Sequence, residues 1–268
     1  MRFNTLSEIK KSLRELKLKK GSSCLLHSSV TGLGPIKGLD IKKIPETIIK
    51  LIFEEIGHNG TLSVMTPYYE YALKNKKFDL KHSPSAKELG AISSHIYKKK
   101  NSVRSLNPLF TISSIGKKAK FITKGKTPIA FGHDSAWDNL FKLNSKILFL
   151  GCDMSVCTFV RYIEFRFGVP YLYNKHFKNK IVFNKKTLSN YSSSTLRYSY
   201  FYLDYDLMRF QKILIKKNLL KLNSNKNFKA MSIDMKSCYN CGIELLKKNL
   251  FFFLENRPKY KGKLPPIA

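Results

Sequence analysis

The segment of residues 144–173, NSKILFLGCDMSVCTFVRYIEFRFGVPYLY, constrains the fold more than any other part of the chain. A short apolar run ends at Gly151, polar and thiol residues follow, and apolar residues at helical spacing cover positions 158–167. This succession of strand, loop and helix is typical of open α/β sheets, which bind ligands at the carboxyl ends of strands. On the helix, Arg161 and Glu164 are three residues apart and therefore share one face.

The rest of the chain repeats the alternation of short apolar strands with amphipathic helices. The other predicted strands are residues 23–29, 61–66, 110–114, 199–203 and 228–233, and the predicted helices are residues 5–20, 45–56, 88–99, 117–123, 136–142, 206–218 and 236–252. This alternation predicts an α/β fold, with a largely parallel sheet covered by helices on both faces.

The chain is expected to form one domain in two parts. Residues 1–174 would form the core, and residues 175–268 a C-terminal part of the same domain, loop-rich at first and then α/β. Clusters of glycine, proline or polar residues predict loops at 30–40, 68–85 and 175–195, and the last of these could also be a small hairpin.

The composition excludes several classes of protein. Hydrophobic residues make up 43% of the 268 residues, which is enough for a sizeable core and unlike a disordered chain. No apolar run approaches the roughly 20 residues of a membrane span, and the N-terminus has no apolar signal segment, so a cytoplasmic protein is expected. Five cysteines do not form a disulfide framework. Cys238 and Cys241 form a lone CxxC, which favours ordinary residues over a metal site.

The formal net charge of +31 indicates attraction to anions. The lysines are spread along the whole chain, and no nucleic-acid-binding motif accompanies them. Compositional bias with mild anion attraction therefore explains the charge better than a dedicated nucleic-acid site. A charge-driven nucleic-acid-associated protein remains an alternative function.

Four further segments have the composition of ligand-binding loops. Residues 27–38 place hydroxyls and glycines after a strand, which suits phosphate or carbonyl groups. Residues 68–79 combine aromatic rings with a carboxylate, as a cationic ligand would require. Residues 104–108 present a guanidinium and an amide, and residues 131–135 read FGHDS. Each segment taken alone also fits an ordinary surface loop.

The order of these motifs carries more information than any one of them. In chain order, the first motifs are HSS, then GTL followed by TP, and then FD followed by SPS and LGAI. After these come RS followed by P, then FG followed by S, D and L, and finally L-x-LG followed by TF-x-x-YIE and GVPY. This order resembles the aminoglycoside 3-N-acetyltransferase family over about residues 5–175, and more thinly over the C-terminal third.

The resemblance implies an α/β enzyme that transfers an acetyl group from acetyl-CoA to an amino group of a sugar, an aminoglycoside or a nucleotide-amino-sugar. The GVPY ending is similar to relatives that act on amino sugars of surface polysaccharides. The resemblance to the family implies no metal, and a homodimer is a further expectation. The expected CoA-binding residues are Ser28, Ser29, Lys37, Arg104, Ser105 and Thr111, and the expected acceptor-binding residues are Tyr68, Asp79, Asn107 and Asp153 together with Glu164.

The chain departs from the family at the expected catalytic base. The family pattern T-x-x-H-x-x-E is here Thr158, Arg161 and Glu164, and Asn107 stands where the family often has another histidine. Arginine stays protonated at any working pH, so Arg161 cannot accept a proton as histidine would.

Three alternatives follow from this departure. Glu164 could accept the proton directly or through water, or His27 or His133 could take the place of the missing histidine. Otherwise the chain is a catalytically degenerate relative that binds CoA or a sugar without turnover. A cysteine nucleophile, Cys152 or Cys157, is a less favoured possibility because no activating partner is evident.

Overall fold

The structure, a computed structural model, describes residues 3–125, 127–198 and 203–258. Within these ranges the strands are β1 (Ser23–Ser28), β2 (Thr61–Met65), β3 (Phe78–Asp79), β4 (Val103–Arg104), β5 (Ile112–Gly116), β6 (Lys146–Leu150), β7 (Leu172–Phe177), β8 (Ile181–Phe183), β9 (Lys186–Ser189), β10 (Ser192–Arg197), β11 (Lys221–Leu222) and β12 (Ala230–Asp234). The α-helices are α1 (Leu6–Glu15), α2 (Val30–Leu33), α3 (Ile44–Ile56), α4 (Glu70–Leu73), α5 (Gly90–Lys98), α6 (Ala119–Thr123), α7 (Ala136–Lys142), α8 (Phe159–Phe167), α9 (Leu207–Lys216) and α10 (Met235–Lys248).

A seven-stranded sheet with the order β11-β12-β6-β1-β2-β5-β4 forms the centre of the fold. The strands β6, β1 and β2 are parallel, and β12 and β5 lie antiparallel on either side of them. The edge strands β11 and β4 are antiparallel to their neighbours, so five of the seven strands run in one direction. The prediction of an α/β fold with a largely parallel sheet is confirmed, because most strands share one direction. The strands on both sides of the three central ones nevertheless pair with their neighbours in antiparallel fashion.

Helices cover both faces of this sheet, as predicted. Alternate residues of β1 belong to different core clusters, because Leu25 packs with α7, α8 and α10 whereas Leu26 packs with α1, α3 and α5. In β6, Phe149 belongs to the same cluster as Leu25, and Leu148 belongs to the same cluster as Leu26. A strand that is buried on both faces is apolar at successive positions, which explains the continuous run ILFL.

Several segments differ from the sequence-based predictions. Residues 30–40 and 68–85, predicted as loops, contain α2 and α4 with β3. Residues 175–195 are more ordered than a loop, because β7 pairs with β10 and β8 pairs with both β9 and β3. The strand predicted at 199–203 falls largely outside the described residues. None of the described helices is long and apolar enough to cross a membrane.

The loops after β1 and β6 are in direct backbone contact. A Cβ atom on Gly32 would lie 1.9 Å from the carbonyl oxygen of Gly151, and one on Gly151 would lie 2.3 Å from the carbonyl oxygen of Ser29. Gly151 also has φ of +68°, which favours glycine. The Ser29 hydroxyl accepts a hydrogen bond from the Gly32 amide at 3.0 Å and caps α2. These contacts hold the two loops together at one edge of the sheet.

We expect Gly151→Ala to destabilise the protein more than Gly21→Ala. Gly21 has a similar φ of +79° but open space around it, so its substitution costs only the left-handed backbone, about 1–2 kcal/mol. Gly151→Ala adds overlap with backbone atoms, a further 1–3 kcal/mol or so. Chemical denaturation measures both changes, and equal losses of the free energy of unfolding would contradict the close contact.

Candidate functional site

A cavity of 560 Å³ lies at the carboxyl ends of β1, β2 and β6. We call it the first cavity. Its wall is formed by the β1–α2 loop with Ser28, Ser29 and Thr31, the start of α5 near Glu88, and Thr158 just before α8. Hydroxyls and backbone groups of three separate loops converge here because the three parallel strands all end at this edge.

A second cavity of 360 Å³ adjoins the first. Arg161, Arg197 and Tyr205 contribute its polar wall. The two cavities share lining residues, namely Met65, Tyr69, Val156 and Thr158. They therefore form one cleft in two parts, with the shared residues at the boundary.

Glu164 lies behind the wall of the second cavity and is completely buried. Its carboxylate accepts hydrogen bonds from the Tyr171 hydroxyl at 2.7 Å and from the Tyr205 hydroxyl at 3.0 Å. Arg161 Nη1 is 3.6 Å from the same carboxylate and donates to the Tyr205 hydroxyl at 2.7 Å. Tyr205 and Arg161 line the cavity whereas Glu164 does not, so Tyr205 connects the buried carboxylate with the cleft.

The surroundings of Glu164 and Tyr205 set their protonation. Burial raises the pKa of Glu164, although Arg161 and the two tyrosine hydroxyls act in the opposite direction. Burial, and then the charge of Glu164, raises the pKa of Tyr205 far above its ordinary value. Tyr205 therefore stays a phenol, which can donate one hydrogen bond and accept others.

His27 is the predicted histidine that the structure brings to the cleft. It lines the first cavity, is 9% exposed, and stacks on Phe149 with 5.3 Å between ring centroids. Its Nε2 has no hydrogen-bond partner among the described residues. Burial lowers its pKa to about 4, so the imidazole is neutral at neutral pH and a weak base.

His133 lies elsewhere and is mostly exposed. Its Nδ1 is 3.3 Å from Asp134, beside Asp138, and it lines neither part of the cleft. Lys142 already pairs with both carboxylates, at 2.7 and 2.9 Å. This cluster therefore has a cation of its own and does not contribute to the site.

The residues predicted to bind CoA divide into two groups. Ser28 and Ser29 line the first cavity, whereas Lys37 is exposed and outside the lining. Arg104 is buried, donates to the carbonyl oxygens of Ser83 and Thr66, and lies 4.7 Å from the centroids of two aromatic rings. It adjoins a separate cavity of 600 Å³ that is lined by three lysines of positions 98–100.

Ser105 and Thr111 are also structural. The Ser105 hydroxyl accepts from the amide of Ile112, and the Thr111 hydroxyl donates to the carbonyls of Asn107 and Pro108. Both residues are buried and neither lines the cleft.

The structure brings none of the four residues predicted to bind the acceptor to the lining of the cleft. Tyr68 is buried and bonds to Glu70, and Asp79 accepts from two backbone amides of the following turn. Asp153 caps a short 3-10 helix and pairs with Lys229 at 2.9 Å. Asn107 links its own loop to the carbonyls of Pro128 and Ser193 and to the Ser194 hydroxyl.

The cysteines next to the cleft are poor nucleophiles. Burial raises the pKa of Cys152 to about 11 and that of Cys157 to about 12. Both side chains therefore remain thiols at neutral pH, although Cys152 lines the first cavity and Cys157 the second.

Sequence reasoning missed several polar residues of the cleft, among them Tyr69, Arg197 and Tyr205. Tyr69 directly follows Tyr68, which was predicted to bind the acceptor. Its position shortly after the end of β2 was the signal that could have identified it. Arg197 and Tyr205 lie in the C-terminal region, where the resemblance to the family is thin and no motif marks them.

We expect acid to destabilise the wild type more than His27→Gln. The pKa of His27 is lower in the folded protein, about 4, than in the unfolded chain, about 6.5, so its contribution to stability is lost as the pH falls through this window. Between pH 7 and pH 4.5 the wild type should lose roughly 2–3 kcal/mol more than the variant. Urea denaturation at the two pH values measures this, and identical pH dependence would contradict a buried neutral imidazole.

Comparisons with known proteins agree with this architecture. A family model described as Aminoglycoside 3-N-acetyltransferase matches residues 25–247. The chain is 21% identical over 184 residues to an aminoglycoside N(3)-acetyltransferase III of a Salmonella species, and equally to one of Acinetobacter baumannii. Each match covers 63% of this chain and 63% of the relative, so the chain spans somewhat less than two thirds of these relatives' length.

Solved structures extend the likeness in fold to nearly the whole chain. A structure described as AAC-IIIb in binary complex with CoASH has a TM-score of 0.76 at 17% identity, covering 96% of this chain and 100% of its own. AAC-VIa bound to sisomicin has a TM-score of 0.74 at 20% identity, covering 92% and 98%. Because the family model covers most of the chain, the protein belongs to the aminoglycoside 3-N-acetyltransferase family.

Proposed function

We propose that the protein is an acyl-CoA-dependent N-acyltransferase that acetylates an amino group of a sugar. The observation that carries this proposal is the two-part cleft, in which the hydroxyl-rich first cavity meets a second cavity connected through Tyr205 to Glu164. Acyl transfer needs a place for a thioester, a place for an amine next to it, and an acceptor for the proton of the amine. The cleft offers all three.

The first cavity is our candidate site for the pantetheine arm of acetyl-CoA. Ser28, Ser29 and Thr31 supply hydroxyls that suit its amide and carbonyl groups, and the volume of 560 Å³ is that of a small-molecule site. The structural neighbour in complex with CoASH supports this choice of donor. The thioester would then lie at the boundary, where Thr158 offers a hydroxyl to the oxyanion that develops on the carbonyl oxygen.

The second cavity would hold the acceptor, with its amine facing Tyr205. The amine nitrogen attacks the thioester carbonyl carbon, the carbon–sulfur bond breaks, and CoA leaves as its thiolate, which takes up a proton from solvent. The proton released by the amine goes to the Tyr205 oxygen while Tyr205 passes its own proton to Glu164, 3.0 Å away. The raised pKa of Glu164 favours this transfer, and Arg161 orients Tyr205 without itself accepting a proton.

A catalytically degenerate protein that binds CoA is the second candidate. Two features favour it: Arg161, which stands where the resemblance to the family leads us to expect a histidine, and the burial of Glu164. Binding and turnover separate the two candidates. Release of the CoA thiol from acetyl-CoA in the presence of a panel of amino sugars would exclude the degenerate alternative.

We expect acetyl-CoA to bind with a dissociation constant in the low micromolar range or below, measured by isothermal titration calorimetry. Ala91 on α5 lines the first cavity, so Ala91→Trp should fill part of the cavity and weaken binding at least tenfold. Absence of acetyl-CoA binding to the wild type would remove the acyltransferase proposal. Circular dichroism spectra of the variant serve as the control for folding.

Two tyrosine variants test the route of the proton. Tyr171 and Tyr205 both donate to Glu164, but only Tyr205 lines the cleft. Tyr205→Phe should lower kcat by about 10²–10⁴ in the thiol-release assay, as expected for loss of a general acid–base group. Tyr171→Phe removes an equivalent hydrogen bond and should mainly lower stability, by about 1 kcal/mol. Equal effects of the two variants on kcat would contradict the relay.

A further inference from the structure

The second cavity has an unusual charge for the acceptor site of an amine. Arg161 and Arg197 both line it, and no aspartate or glutamate does so among the described residues. One carboxylate, that of Glu88, lies on the first cavity instead. Glu164 lies behind Tyr205, 3.6 Å from Arg161, and is a single negative charge opposite two positive ones.

The two guanidiniums are held in place, and only some of their N–H donors have a hydrogen-bond partner among the described residues. Both lie over the ring of Tyr205, with 5.0 and 5.4 Å between the guanidinium carbon and the ring centroid. Within the described ranges each makes one hydrogen bond, from Arg161 to the Tyr205 hydroxyl and from Arg197 to the carbonyl of Leu203 at 2.8 Å. A guanidinium has five N–H donors, so each of the two has donors that no described residue engages.

This arrangement disfavours a polycationic acceptor. An aminoglycoside would bring several ammonium groups against two arginines, in a cavity without a carboxylate to receive them. Arginine pairs instead match phosphate, because the planar fork forms two parallel charge-assisted hydrogen bonds.

We propose that Arg161 and Arg197 select an acceptor that carries phosphate as well as the amine, namely a sugar phosphate or a nucleotide-activated amino sugar. This proposal rests on the acyl transfer inferred above and names the class of its acceptor. The phosphate would engage the free N–H groups of the two arginines, and the amine would face the Tyr205 hydroxyl.

Binding of phosphate-bearing probes to the CoA-saturated protein tests this proposal without knowledge of the acceptor. The probes are UDP, glucosamine 1-phosphate, glucosamine and gentamicin, each titrated by calorimetry with CoA in excess to block the first cavity. UDP or glucosamine 1-phosphate should bind at least tenfold more tightly than glucosamine and gentamicin. Binding of UDP alone would indicate a nucleotide sugar, and comparable binding of glucosamine 1-phosphate would indicate a sugar phosphate.

Matched variants separate the cavity from the general charge of the protein. Arg197→Gln should weaken the phosphate probe at least tenfold, whereas Arg197→Lys, which keeps the charge but not the fork, should weaken it less. Arg166→Gln is the control, because Arg166 is on α8 and exposed, lies over Tyr162, and lines neither part of the cleft. It removes the same charge and should change binding less than twofold.

Two outcomes would overturn the proposal. One is tighter binding of gentamicin than of either phosphate probe, and the other is an equal effect of Arg166→Gln and Arg197→Gln. Failure of CoA to bind would instead count against the acyltransferase proposal, and the phosphate titrations repeated without CoA would still test the arginines.

Discussion

The buried carboxylate of Glu164 is the interaction on which the cleft depends. An ionised group that is removed from water costs several kcal/mol unless charged and hydrogen-bonded partners compensate it. Here the partners come from three places: Arg161 on the same helix, Tyr171 just before β7, and Tyr205 before α9. One carboxylate therefore holds the C-terminal third of the chain against α8 and fixes the position of the tyrosine that faces the cleft.

The close contact of Gly32 with Gly151 performs the same task on the other side of the cleft. It keeps the loops after β1 and β6 together, and with them the hydroxyls of Ser28 and Ser29. The cleft is thus fixed by backbone packing on the proposed donor side and by a charged hydrogen-bonded cluster on the proposed acceptor side.

Local patterns predicted the fold well where they determine structure directly. The capping box of Thr5 and Glu8 begins α1, and the apolar runs became central strands. Strand direction was less accessible, because a short apolar run such as that of β12 reads the same whether it pairs parallel or antiparallel. At the candidate site, Ser28 and Ser29 were selected because they stand at the end of a predicted strand, and both line the first cavity.

Arg104 and Asn107, selected from the sequence as ligand-binding residues, have side chains that bind backbone carbonyls. A polar residue in a loop has the same appearance in the sequence whether it binds a ligand or a backbone carbonyl. Tyr205 was missed because it meets Glu164 across 41 residues of sequence.

A crystal structure of the complex with CoA tests the account most directly. We expect the sulfur atom at Thr158, with the pantetheine arm along Ser28 and Ser29. A CoA molecule bound in the cavity of lysines 98–100, with its sulfur remote from Thr158, would contradict the account.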